Sequence, residues 1–167
     1  AGILGVAAVA LAGWLLLRGI GEEFLRAAQS GGLPEGLPLT NPTYIFLTAA
    51  SHTTSEVRYL SADKPSDAFR LMLPREVGHE YYADHHGDTF YIRTNEAGSL
   101  NFKLVSAPVA DPRRENWKEV IPHRAGVMMS GVELFRDFYV VSERGNATPA
   151  LRVSDYKESW AKAKAIP

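Results

Sequence analysis

Covalent attack on a peptide bond requires a nucleophile, a base within hydrogen-bond reach and donors aimed at the developing oxyanion. Few residues in this chain could supply them. No Gly-x-Ser-x-Gly elbow occurs, and the Ser130-Gly131 pair lacks the flanking glycine. His52 lies beside Ser51 and Ser55, but a flexible polar turn would not hold a triad in register. The glycines of the GGLPEG stretch precede no Lys and no strand–helix junction, so they do not form a phosphate loop. His79-Glu80 begins like a zinc-protease motif, yet Tyr81, Tyr82 and Ala83 follow and the second His is missing.

The densest ligand-like cluster is His79, Asp84, His85, His86 and Asp88. Adjacent strand residues point to opposite faces, so His85 and His86 cannot jointly face one metal ion. A polar hairpin end is the expectation instead. Asn146-Ala147-Thr148 is a formal glycosylation sequon, which would matter only in an exported chain. Glu143-Arg144, closing the run FYVVSER, reads as an internal ion pair or a charged edge; alternatively the Arg lines a channel or meets a partner domain. Glu143 and Arg144 are therefore the only candidate site residues, at a domain interface or channel. No catalytic, metal-binding or cofactor-binding residue is assigned.

Composition narrows the classes further. The 167 residues are 46% hydrophobic and 22% charged, a balance that folds rather than stays disordered. Lys plus Arg total 18 against 19 acids, a net charge of -1. That balance removes the electrostatic case for nucleic-acid binding, which needs a basic stripe. Cys is absent, which excludes disulfides, thiolate metal sites and cysteine nucleophiles.

Residues 1–17, beginning at Ala1 and ending at Leu17, carry no charge. As a helix they would span about 25 Å, slightly short of the ~30 Å bilayer core. Three readings stay open: a membrane anchor, a buried helix, or a stretch foreign to the domain. No basic n-region precedes the run, so the pattern of a secretory signal is incomplete. The expectation is an apolar to amphipathic helix over 1–29, a Pro/Gly linker over 30–43, and a β domain over 44–167.

From Tyr44 onward, short runs rich in Tyr, Phe, Val, Ile and Leu alternate with polar turns. YIFLTAA, EVRYLS, FRLMLP, EYYADHH, TFYIRTN, FKLVSAP, KEVIP, GVELF, FYVVSER and ALRVSD have the length and spacing of an antiparallel meander. The runs also repeat: residues 44–62, 90–108 and 138–156 superpose as an aromatic-led strand, a polar turn and a strand ending in an aliphatic residue and Ser. The pairs Leu60-Ser61, Val105-Ser106 and Val153-Ser154 hold equivalent places. A period in the forties with about four strands per unit is the pattern of a β-propeller blade. The fold class expected is all-β, a partial propeller of two to three antiparallel blade-like sheets. The four strands of the middle unit are expected at residues 80–85, 89–95, 101–106 and 118–121. Ile45, Leu47, Val57, Tyr91, Leu104, Leu134 and Val140 are expected in the core. A small complete β-sandwich is the competing architecture.

An ordered series of phrases carries a resemblance. Thr54-Ser55-Glu56-Val57-Arg58-Tyr59-Leu60 is followed by Pro74-Arg75, His79-Glu80-Tyr81, Phe90-Tyr91-Ile92-Arg93-Thr94-Asn95 and Asn101-Phe102-Lys103-Leu104. Trp117, Ile121-Pro122 and Phe138 through Glu143-Arg144 to Leu151 continue it. Over about two-thirds of the chain this resembles the oligopeptidase B branch of the prolyl oligopeptidase family of serine peptidases. The resemblance implies a seven-bladed propeller that caps an α/β-hydrolase domain and restricts entry to short peptides. It also implies cleavage after Arg or Lys and a cytoplasmic location. The chain stops at Pro167, before the hydrolase domain would begin, so no catalytic residue carries over and the chain alone is expected to be inactive. The implied partners are that hydrolase domain and short peptides. The alternative from another class is a non-enzymatic interaction module anchored in a membrane through residues 1–17.

Overall fold

The computed structural model describes residues 43–166. The expected N-terminal helix and nearly all of the expected linker lie outside the described residues. Within them the chain forms eleven strands in three antiparallel sheets. The first sheet joins β1 (Tyr44–Ala50), β2 (Ser55–Ser61) and β3 (Arg70–Leu71) in that order. The second joins β4 (Tyr81–His86), β5 (Thr89–Thr94), β6 (Lys103–Pro108) and β7 (Lys118–Ile121). The third joins β8 (Val127–Leu134), β9 (Phe138–Gly145), β10 (Thr148–Asp155) and β11 (Lys164–Ile166). Three short 3-10 turns lie in the connections, and no α-helix occurs among the described residues.

The sequence repeat maps onto the sheets one for one. Its copies are β1–β2, β5–β6 and β9–β10, the paired hairpins of successive sheets. In the second and third sheets one strand precedes that hairpin and one follows it. The first sheet has the following strand, β3, but no described strand in the preceding place. Meander connectivity with four strands per complete sheet is blade architecture.

Alternation then decides what is buried. In β5, Phe90 and Ile92 face the first sheet, while Tyr91 and Arg93 face the third. Phe90, Ile92, Val105 and Ala107 pack with Val57, Tyr59, Met72 and Leu73 into one core. From the opposite face, Leu104 and Ile121 pack with Met129, Leu134, Tyr139 and Val141 into a second. The middle sheet is covered on both sides. That arrangement excludes the two-sheet sandwich and fixes three stacked blades.

Several sequence expectations need correction. Val57, Leu104 and Leu134 are buried, but Ile45, Tyr91 and Val140 are only half-buried and Leu47 is 51% exposed. Leu47 pairs with Arg58, on the face of β1–β2 turned away from the middle sheet. Val140 likewise sits on the far face of the third sheet, and its neighbours Tyr139 and Val141 take the core positions. Outer faces of the end sheets have no facing sheet among the described residues, so alternation alone could not say which parity is core. FRLMLP contributes only the two-residue β3; Met72 and Leu73 leave the ladder to fill the first core. β6 begins at Lys103, since Phe102 takes φ 63°. The Asn101 side chain is turned to the carbonyls of Arg124 and Ala125.

Turn chemistry is mostly conventional. Gly87 takes φ 55° between β4 and β5, at no steric cost. Between β9 and β10, Asn146 (φ 49°) and Ala147 (φ 63°) both sit in the left-handed region, the requirement of a two-residue type I′ hairpin. Ala147 carries the strain that a glycine would avoid.

Two buried hydroxyls, those of Tyr81 and Ser55, join the first two sheets. The Tyr81 hydroxyl accepts from the amides of Val57 (3.0 Å) and Leu73 (3.3 Å) and donates to the Leu73 carbonyl (2.9 Å). The Tyr81 backbone is held at the same time: its N–H donates to Ser55 Oγ and its carbonyl accepts from that hydroxyl, both at 2.7 Å. Ser55 and Tyr81 are essentially inaccessible to solvent. Removing the Tyr81 hydroxyl strands two buried amides and a buried carbonyl. Tyr81→Phe is therefore expected to lower unfolding free energy by about 2–3 kcal/mol, read from the urea midpoint at unchanged slope. A loss of under about 0.5 kcal/mol, the range of a neutral surface change, would remove this bond set from the account.

Candidate functional site

The two residues singled out from sequence, Glu143 and Arg144, are parted by the strand's alternation. Glu143 is 6% exposed in the seam between the second and third sheets, whereas Arg144 is exposed on the outer face. They cannot pair with each other. Glu143 is instead gripped by Arg124, whose Nη1 donates at 3.2 Å and whose Nη2 donates to the second carboxylate oxygen. Arg124 comes from the connection between β7 and β8, and its guanidinium lies 5.7 Å from the centre of the Trp160 ring. Arg152 reaches the same indole at 5.2 Å and donates to the Ala163 carbonyl at 2.8 Å. A forked pair of this kind satisfies both ions within the seam. Nothing in the run FYVVSER points to Arg124; only the buried parity of Glu143 signals that a cation must come from elsewhere.

The histidine cluster is dispersed. His85 is buried toward the first sheet, 5.1 Å from the Tyr44 ring centre. His86 faces the other way, stacked on Tyr156 at 3.8 Å and donating to the Arg136 carbonyl at 2.8 Å. His79 lies at the opposite end of β4 from the β4–β5 turn. No group of three or more metal-ligating side chains comes together among the described residues.

Nor do the hydroxyls assemble a nucleophile. Ser51 Oγ turns to the Thr54 carbonyl and Ser55 is committed to Tyr81. His79 does contact a hydroxyl, with Nε2 2.9 Å from Thr94 Oγ1. Arg114 Nη2 lies 3.4 Å from Nδ1, so Nδ1 must accept and Nε2 carries the proton. Thr94 is wholly inaccessible to solvent and also receives the Glu96 amide. This pair is structural: no substrate could reach it. Arg114 is itself set between Glu76 (3.0 Å) and Glu96 (3.1 Å).

One open cleft of about 360 Å³ lies between the second and third sheets. Its walls are Tyr82, Ala83 and Asp84 of β4, Tyr91 and Arg93 of β5, Val132 and Leu134 of β8, and Phe46 of β1. Arg93 is fixed between the rings of Tyr82 (4.5 Å) and Phe102 (4.2 Å), and its Nη1 donates to the Met129 carbonyl at 3.1 Å. Asp84 stands at the mouth, solvent-exposed yet crowded enough that desolvation pushes its carboxyl above the usual carboxylate value. Sequence reasoning passed over this site because its residues fall in two repeat units and none belongs to a recognised catalytic motif.

The asymmetry between the two predicted residues is testable. Glu143→Ala leaves the part-buried Arg124 without its partner in the seam and is expected to cost about 1–3 kcal/mol. Arg144→Ala, on the exposed face, should stay within about 0.5 kcal/mol. Equal effects in denaturant titrations would contradict the assignment. His79 gives a pH prediction. Burial, then the Arg114 charge, lowers its pKa from 6.5. The unfolded chain therefore binds the proton more readily, and stability should fall as pH drops below about 6.5. Replacing His79 by Gln should flatten that dependence in thermal melts between pH 5 and 8; an unchanged slope would refute it.

Comparison with known proteins agrees with the sheet architecture. The sequence model for the prolyl oligopeptidase N-terminal β-propeller domain matches residues 40–166. Dipeptidyl aminopeptidase BI of Pseudoxanthomonas mexicana is 43% identical over 122 residues, which are 72% of this chain and 17% of that protein. Oligopeptidase B from Trypanosoma brucei, in its closed form with covalently bound antipain, superposes with a TM-score of 0.69 at 25% identity. That match covers 75% of this chain and 18% of the other. Oligopeptidase B from Leishmania major superposes at 0.60, with 25% identity, over 72% of this chain and 19% of the other. The chain thus spans about a sixth of the length of the first relative it matches.

Proposed function

The chain belongs to the prolyl oligopeptidase N-terminal β-propeller family, and we propose that it is part of the gating propeller of a cytoplasmic serine-type oligopeptidase. In this reading an α/β-hydrolase domain elsewhere in the protein performs acyl transfer, and the propeller admits only short peptides to it. The observation that carries the reading is the family match over residues 40–166, coincident with three consecutive blade-like sheets. The exposed Arg144 is then available to meet the hydrolase domain or to line the channel.

The bond cleaved is proposed to follow Arg or Lys. Support comes from the structural likeness to two oligopeptidases B. A second reading is favoured by the name of the 43% identical relative, a dipeptidyl aminopeptidase: release of dipeptides from a free amino end. Among the described residues no Ser or Thr combines an accessible hydroxyl with a histidine partner, so the chemistry is assigned outside them. Such chemistry depends on a positioned base and on an oxyanion hole, the loss of one donor from which costs about 10²–10³ in rate.

The full-length protein containing this chain is expected to release fluorophore from peptides ending in Arg or Lys, and a serine-directed inhibitor should abolish the release. The 167-residue chain alone should match a mock preparation. Substrates with acylated amino ends separate the two specificities, since an endopeptidase accepts them and a dipeptidyl aminopeptidase does not. Inhibitor-sensitive turnover by the chain alone, or none by the full-length protein, would overturn the proposal.

A further inference from the structure

Most arginines that meet other groups in the seams and turns do so with a carboxylate. Arg124 has Glu143, Arg114 has Glu76 and Glu96, Arg58 has Glu56, and Arg113 has Asp111. Arg93 does not. No described carboxylate lies within ion-pair distance of it. The charge of Glu80 acts on it, but that side chain is turned to the Tyr82 hydroxyl at 3.4 Å. A largely desolvated guanidinium without a counter-ion is a costly feature to keep.

The surroundings of Arg93 direct what could offset that cost. The Tyr82 and Phe102 rings hold the guanidinium in place, as cation–π contacts do. One nitrogen is spent on the Met129 carbonyl, and no other bond to the guanidinium occurs among the described residues. The remaining donors border the cleft of about 360 Å³, which lies at the small end of the ~300–1,000 Å³ usual for small-ligand sites. A planar fork fixed in orientation is matched best by a carboxylate. Opposite it, Phe46, Val132 and Leu134 offer an apolar wall. Asp84 at the mouth would repel a second acid and favour an amide N–H.

Position matters as well. The second and third sheets approach each other through their first strands, β4 and β8, and those strands supply most of the cleft. The cleft therefore opens along the edge where successive blades converge.

We infer that this cleft binds the carboxylate of a short peptide ending in an apolar residue, with Arg93 as the anion-binding group. Carboxylate recognition stands on the cleft itself; that the ligand is a peptide rests on the gating reading above. Binding to the chain is measured without any peptidase activity, so the two ideas fail separately.

The probe is acetyl-Ala-Leu with a free carboxylate, compared with the same dipeptide as its C-terminal amide, titrated calorimetrically into the full 167-residue chain. The acid is expected to bind at least about tenfold more tightly, the worth of one charge-assisted hydrogen bond. Arg93→Met should reduce acid binding to the level of the amide, and Arg93→Lys should fall between. Because Arg93 also bridges two sheets, Asp84→Asn provides a variant of opposite sign: removing the like charge should tighten the acid about threefold. Val132→Trp, filling the cleft, should abolish binding of both. Equal affinity for acid and amide, or an Asp84→Asn variant that binds the acid no better, overturns the inference.

Discussion

The Tyr81 hydroxyl is the point on which the stacking of the first two sheets depends. A sheet in a meander closes its own backbone bonds, but it has two faces, and stacking brings irregular connections into the dry seam. The segment after β3 is such a connection. Its Leu73 amide and carbonyl would be unsatisfied beside the core if Tyr81 did not reach both. Because Ser55 clamps the backbone of the same tyrosine, the start of β2, the end of the β3 connection and the start of β4 are fixed together. Every later feature inherits that frame: the parity of β4 sends Tyr82 and Asp84 to the opposite seam, where they wall the cleft.

The second seam is held by different means. Apolar contact supplies its bulk, through Leu104, Ile121, Met129, Tyr139 and Val141. Its polar register is set by two cations at the open end of the β8–β9 ladder, where Met129 pairs with Glu143. Arg124 carries a charge from the inter-sheet connection to Glu143, and Arg93 crosses from β5 to the Met129 carbonyl. The first is an ion pair whose members satisfy each other. The second is a cation held by aromatic faces and one carbonyl. The contrast is chemical: one arginine is closed and the other is open toward a cleft.

How much of this was legible in the sequence depends on the range of the interaction. The repeat at Tyr44, Phe90 and Phe138 located three hairpins, because each hairpin is a local object with its own alternation and turn. The middle sheet's strands fell within two residues of their observed bounds for the same reason. Leu47 and Val140 were misassigned because alternation gives two parities and only the neighbouring sheet says which is core. Glu143 was found, but its partner was not: Arg124 is 19 residues away, beyond any periodicity, and adjacency to Arg144 was misleading on a strand. Arg93 stood inside a recognised phrase, yet its open donors become visible only when Met129 and Phe102 are seen to occupy the rest of it.

The central claim is that three consecutive blades stack through the middle one, which is covered on both faces. Amide hydrogen exchange on the full chain tests it directly, since protection follows the stability of the unit that must open. The account predicts that β5 and β6 exchange most slowly, together with the Val57 and Leu73 amides bound to Tyr81, and that β1 and β11 exchange fastest. Protection in β5 and β6 no greater than in β1 and β11 would contradict it, because it would mean that the middle sheet is not enclosed.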